Sequence, residues 1–117
     1  MKKFVTGLVA LSALATGLAL ASDAGPKADV AAVRAFSNQK NPGQGLLGVH
    51  VVGDYALTDW YKGEASGYGV YKRVSGETWK QVDWGGGAIT VDLLAKDGMP
   101  ASTAHQLCSG WGDSSPC

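Results

Sequence analysis

The chain has 117 residues, with 10 basic and 10 acidic side chains, 17 glycines, four tryptophans and two cysteines. That length suits one domain with a modest core. The even balance of charge excludes the basic patch by which proteins grip nucleic acid or an anionic membrane surface.

The first residues read as an address. Lys2 and Lys3 give a positive start, Phe4 to Leu20 is apolar or small, and Ala19 and Ala21 close the run with small residues. This is the three-part pattern of a cleaved export signal over 1–21, leaving a single domain over 22–117. The run contains Thr6, Gly7, Ser12, Thr16 and Gly17 and has no basic flank after it, which argues against a membrane anchor. Without residues 1–21 the balance becomes 8 basic against 10 acidic side chains, so no membrane contact is expected after cleavage. The expected compartment is the periplasm or the medium.

"SDAGPK" (22–27) reads as a mobile lead-in. Val30, Val33 and Phe36 then recur at helical spacing, predicting a helix from about Pro26 to Asn38 with proline in its first turn. From Leu46 the period changes to two. "LLGVHVV", "YALTDWYKG", "YGVYKRV" and "TWKQVDW" read as four strands, joined through Gly53-Asp54, "EASG" and Ser75 to Glu77. Such short connections make neighbouring antiparallel pairs, a meander. After Gly85 to Gly87, Thr90 can cap a short helix that ends at Gly98, and Pro100 opens a last helix that ends at Gly110. The expected class is α+β: an N-terminal helix, a four-stranded antiparallel meander and two short C-terminal helices.

The only two cysteines, Cys108 and Cys117, fall in the last ten residues, with "SGWGDSSP" free to turn between them. An even count in an exported chain predicts that they form a disulfide.

Alternation puts Tyr55, Leu57, Asp59 and Tyr61 on one face of the second strand and Ala56, Thr58 and Trp60 on the other. Neither face is polar, and the next two strands repeat this. A sheet apolar on both faces must have both covered. With the helices on one, the other is expected to meet a protein partner or a second copy, through Trp60, Tyr61, Tyr68 and Tyr71.

"VVGDYALTDWYKGEASG", "TWKQVDWGGGAI" and "LLAKDGMPASTAHQL" resemble, in this order, a family of small exported bacterial proteins that are uncharacterised or associated with copper uptake. The resemblance runs from about Val51 to Leu107. It implies an exported α+β domain, similar in topology to cystatin-like or nuclear-transport-factor-2-like sheets, and brings no catalytic residues with it.

The candidate sites divide by chemistry. "GQGLLG" (43–48) spells the dinucleotide-binding pattern, but the strand-then-helix context it needs is reversed here, so it reads as a glycine-rich loop. Copper handling would use soft donors: His105 and Cys108, three apart on the last helix, with Met99. Asp59 or Asp83 in a closed pocket would suit a small-ligand carrier or an acid–base enzyme. Neither has a nucleophile motif or a second catalytic group near it in sequence, and Asp59 is expected to pair with Lys72 or Arg73. The leading expectation is a non-enzymatic binding or accessory protein, with no cofactor unless copper.

Overall fold

The computed structural model of the chain describes residues 23–111 and residue 117; the expected leader lies outside them. The elements run α1 (Lys27–Lys40), β1 (Gly45–Val52), β2 (Tyr55–Lys62), β3 (Ala65–Ser75), β4 (Thr78–Gly86), α2 (Val91–Lys96) and α3 (Ala101–Ser109). The sheet is antiparallel throughout, in the order β1-β2-β3-β4. It is the α+β meander that the alternation and the short connections require.

The turns explain why the meander is so regular. Val52 pairs with Tyr55, Lys62 with Ala65 and Ser75 with Thr78, so each connection is a two-residue hairpin. Each begins with a glycine at positive φ, Gly53 at 60°, Gly63 at 62° and Gly76 at 49°, and an acidic residue follows it. Left-handed backbone at this position matches the twist of the flanking strands, and glycine adopts it without a Cβ clash. Thr90 caps α2 as its sequence position suggests, its hydroxyl accepting from the Leu93 amide at 3.1 Å.

The helices lie on both faces of the sheet. Val30 and Val33 of α1 pack with Val49, Val51, Ala56, Tyr71 and Trp79 on one face. Leu94 of α2 and Ala104 and Leu107 of α3, with Ile89, Met99 and Trp111, pack on Leu57 and Val70 on the other. The expectation that helices shield a single face is therefore corrected. Both faces are apolar because each has its own helical cover. Periodicity states how many faces need covering; it does not assign a helix to a face, and here the helix before the sheet and the pair after it went to opposite sides.

The lead-in is also corrected, because Asp23 to Gly25 is built into the sheet. The Ala24 amide donates to the Val49 carbonyl at 3.0 Å and the Val51 amide to the Ala24 carbonyl at 2.8 Å, a parallel bridge on the outer edge of β1.

At the hairpin end of the sheet, Arg73 gathers three segments. Its guanidinium reaches Asp29 of α1 at 2.9 Å, Asp54 of the first hairpin at 3.0 Å and Glu77 of the third at 3.7 Å, and it lies 4.5 Å over the Trp79 ring. The hydrogen bond from Arg73 is the main cause that holds the Asp29 carboxyl below the usual carboxylate range.

Candidate functional site

The opposite end of the sheet holds the exposed aromatic surface. Here β3 reads "SGYGV", with Gly67 and Gly69 on the α1 face and Tyr68 between them on the other. Gly67 pairs with Trp60 of β2 on one side, and Gly69 with Trp84 of β4 on the other. Lacking side chains, the two glycines leave a track over which both indoles lie, stacked 4.4 Å apart and within 5° of parallel. A Cβ at Gly67 would meet the Trp60 ring at 2.7 Å, so the stack depends on the glycine. Trp60 is the buried member, at 5% exposure, and its indole N–H donates to the Tyr68 carbonyl at 2.9 Å. Trp84 is the outer member, at 36% exposure, with its N–H directed to Gln44 Oε1 at 3.3 Å.

Two further exposed side chains lie at this end, with Tyr61 on the face opposite Trp84. Tyr61 is 45% exposed, and its ring fills the space beside Gly45, its partner on β1. Leu47 sits at the bulge between Leu46 and Gly48, unpaired and 49% exposed. The bulge turns it out of the alternation that buries Leu46 against α1.

Of the four residues expected to form a binding face, only Tyr61 is well exposed. Tyr71 and Trp60 point to the α1 face, and Tyr71 is fully buried in its core. Tyr68 is half-buried on the other face, beside the α2–α3 core. The four do not make one surface, because Tyr61 and Tyr68 are an odd number of residues from Trp60 and Tyr71 in register. Trp84 and Leu47 were missed. The alternating glycines of "SGYG" were a signal for Trp84, since they call for large neighbours on the adjoining strands. Leu47 carried no such mark, because the bulge that exposes it is not written in the pattern.

The face under α2 and α3 carries the carboxyls. One row across all four strands reads Gly48, Asp59, Tyr68, Gly85. Asp59 is half-buried, and desolvation raises its pKa. It makes no ion pair among the described residues, and of the two partners expected for it Lys72 lies over the Tyr55 ring while Arg73 is committed to Asp29, Asp54 and Glu77. Tyr68 leans towards β4, where a Cβ at Gly85 would lie 2.9 Å from its hydroxyl. Asp83 turns back to accept from the Trp84 amide at 2.8 Å. Asp97, at the C-cap of α2, approaches it from above the sheet. Burial first, and then the hydrogen bond and charge of Asp83, push the Asp97 carboxyl up to about 6.

The donor set proposed for copper does not assemble. Cys108 is joined to Cys117, with their Cα atoms 5.4 Å apart, so it offers no thiolate. Met99 is a core residue at 3% exposure, packed with Leu57 and Leu94, whereas His105 is exposed on α3. Softness makes Met99 and Cys108 candidate donors in the sequence, but the fold uses Met99 as apolar volume and Cys108 as a staple. Among the described residues no group of three or more His, Cys, Asp or Glu is placed to share a metal ion, and no helix is long and apolar enough to cross a membrane.

Comparison with family models, with curated proteins and with solved structures finds no match to this chain.

Proposed function

We propose that this chain is a small exported, non-enzymatic binding protein that meets a protein partner through the sheet end formed by Leu47, Tyr61 and Trp84. The observation that carries the reading is that three exposed apolar side chains gather at one end of a sheet whose two faces are covered, Trp84 on the α1 side and Tyr61 on the other, so that a partner would embrace the end rather than lie on one face. They come from β1, β2 and β4. Four adjacent strands span roughly 14 Å, which suits a protein surface better than a single small ring. Aromatic anchors fixed by packing behind them are the kind of side chain that dominates such contacts, because little side-chain entropy is lost on binding. Trp84 is held in this way by Trp60. Export is supported by the leader pattern over 1–21 and by the Cys108–Cys117 disulfide, which persists in oxidising compartments.

The test is a photo-cross-linking side chain placed singly at Leu47, Tyr61, Val74 and Leu93 in the producing cell. All four are exposed, but Val74 lies by the third hairpin and Leu93 on α2. Protein adducts at 47 and 61, and none at 74 and 93, are expected. Adducts of equal yield at all four, or at none, would overturn the reading.

A further inference from the structure

The outer edge of β1 is the segment of this fold most prone to pair with its own kind. Leu46 to Val52 reads "LLGVHVV", without an acidic residue, a lysine, an arginine or a proline, and with three valines. An uncharged, β-branched edge strand is a template for another strand, and an identical strand can pair with it about a two-fold axis. The other edge of the sheet is blunted locally. The pairing of β4 with β3 shifts register twice, and the Trp84 amide is occupied by the Asp83 carboxylate at 2.8 Å.

On β1 the protection comes from a separate segment. Ala24 occupies the Val49 carbonyl and the Val51 amide. The next outward amide, that of Val49, donates to Asp23 Oδ1 at 3.0 Å, so a carboxylate takes the place in the ladder that a further residue's carbonyl would fill. Arg34 of α1 fixes that carboxylate, its Nη2 lying 2.7 Å from both oxygens of Asp23. Gly25 then lets the chain leave the sheet. It stands at φ 122°, and a Cβ there would meet the Val51 carbonyl at 2.8 Å. Pro26 follows and α1 begins at Lys27, so the segment can swing away without unwinding the helix. What holds it is small: two backbone hydrogen bonds and one carboxylate clasped by an arginine, both side chains over a third exposed at 37% and 40%.

We propose that Asp23 to Gly25 is a strap that closes the outer edge of β1, latched by Arg34, and that its release opens this edge to β1 of a second copy of the chain. The strap is a conformational device separate from the aromatic end of the sheet, and neither idea depends on the other.

The test uses Ala24→Pro, which removes the amide donated to Val49, Gly25→Val, and Arg34→Ala, each in the full-length protein as its host produces it. Amide exchange is followed at low and at high protein concentration, alongside sedimentation. At low concentration exchange at Val49 and Val51 is expected to rise ~10-fold or more, while Leu57 and Val70 in the sheet interior stay protected. At high concentration the variants are expected to dimerise and protection at Val49 and Val51 to return. Arg34→Ala leaves the sheet and both cores untouched, so it carries the test alone if the other two variants fail to fold. Variants that stay monomeric at every concentration would overturn the proposal. So would variants that associate while exchange at Val49 and Val51 is the same at both concentrations.

Discussion

The Tyr71 hydroxyl lies 2.6 Å from the Ser37 hydroxyl, in the centre of the core between α1 and the sheet. Neither side chain touches solvent. Around this contact Gln81 Oε1 accepts from Tyr71 at 3.2 Å and from Asn41 at 2.8 Å, and Gln44 donates to Ser37 at 2.9 Å. A buried polar cluster therefore joins the end of α1 to β3 and β4. Burial is the main cause raising the tyrosine pKa, so the phenol stays neutral and can donate.

Removing both partners of that contact should cost less than the two single removals added together. Tyr71→Phe keeps the ring but leaves Ser37 and Gln81 short of a partner, with an expected loss of about 1–2 kcal/mol. Ser37→Ala should cost about the same, and the pair together less than the sum, because the second change removes a group the first had stranded. Urea unfolding of the four proteins measures the coupling, and strict additivity would show that the hydroxyls do not interact.

Arg73→Ala should destabilise the protein by about 2 kcal/mol, a value between those for exposed and for buried ion pairs, since Arg73 is 20% and Asp29 14% exposed. Arg73→Lys should recover less than half of this, because an ammonium cannot make the forked contact to Asp29 while also reaching the carbonyls of Gly53 and Gly76. Thermal unfolding of the two variants against the parent checks the order; equal behaviour of lysine and arginine would refute it.

Most of this fold is legible in the chain, and the reasons are local. The period-two runs, the glycine followed by an acidic residue at the first and third hairpins, and Thr90, Gly98 and Pro100 around α2 and α3 each act within a few residues. The middle turn is shorter than "EASG" suggests, because Ala65 and Ser66 already pair in β3 with Lys62 and Tyr61. What escapes reading is set by contacts distant in sequence. Nothing near Tyr71 says that Ser37 waits 34 residues away, and so an aromatic of the core resembles one of the surface. Nothing in "SDAGPK" shows that Ala24 will meet Val49, because a single parallel bridge has no period. At the sheet end the deciding feature is the bulge at Leu47, which interrupts the alternation and leaves that side chain exposed.

The Cys108–Cys117 disulfide closes a short ring that starts in the last turn of α3, and its reduction should cost about 2–3 kcal/mol in the chain-entropy account. The change should be felt first at Trp111, which stands within that ring and stacks on His50 with ring centroids 3.7 Å apart. Near-ultraviolet circular dichroism should weaken on reduction while the far-ultraviolet spectrum of the sheet persists. A reduced protein with both spectra and its unfolding midpoint unchanged would show that the staple contributes nothing.

Asp97 gives the stability a dependence on pH with a definite sign. Its carboxyl is raised to about 6 in the folded protein against 3.8 ordinarily, so the fold favours the protonated form. Below pH 3.8 the group is protonated in both states, and its advantage to the fold is fully present. As pH rises through about 6 the folded protein must hold Asp97 ionised beside Asp83, and that advantage is lost. Asp97 stands at the C-terminal end of α2, where the negative pole of a helix disfavours an anion. Asp97→Asn should therefore stabilise the protein at pH 7 by about 1 kcal/mol, a figure reduced for solvent screening of a partly exposed pair. Near pH 4 the same change should be almost neutral. Asp29 works in the opposite sense, its lowered pKa giving stability that fades only as pH falls below the ordinary value, whereas Asp59, also raised, acts in the same sense as Asp97; the difference between parent and variant isolates Asp97 between pH 4 and 6. Urea midpoints of parent and variant, taken at half-unit steps across that window, should diverge as pH rises; parallel curves would mean that the fold does not favour a protonated Asp97.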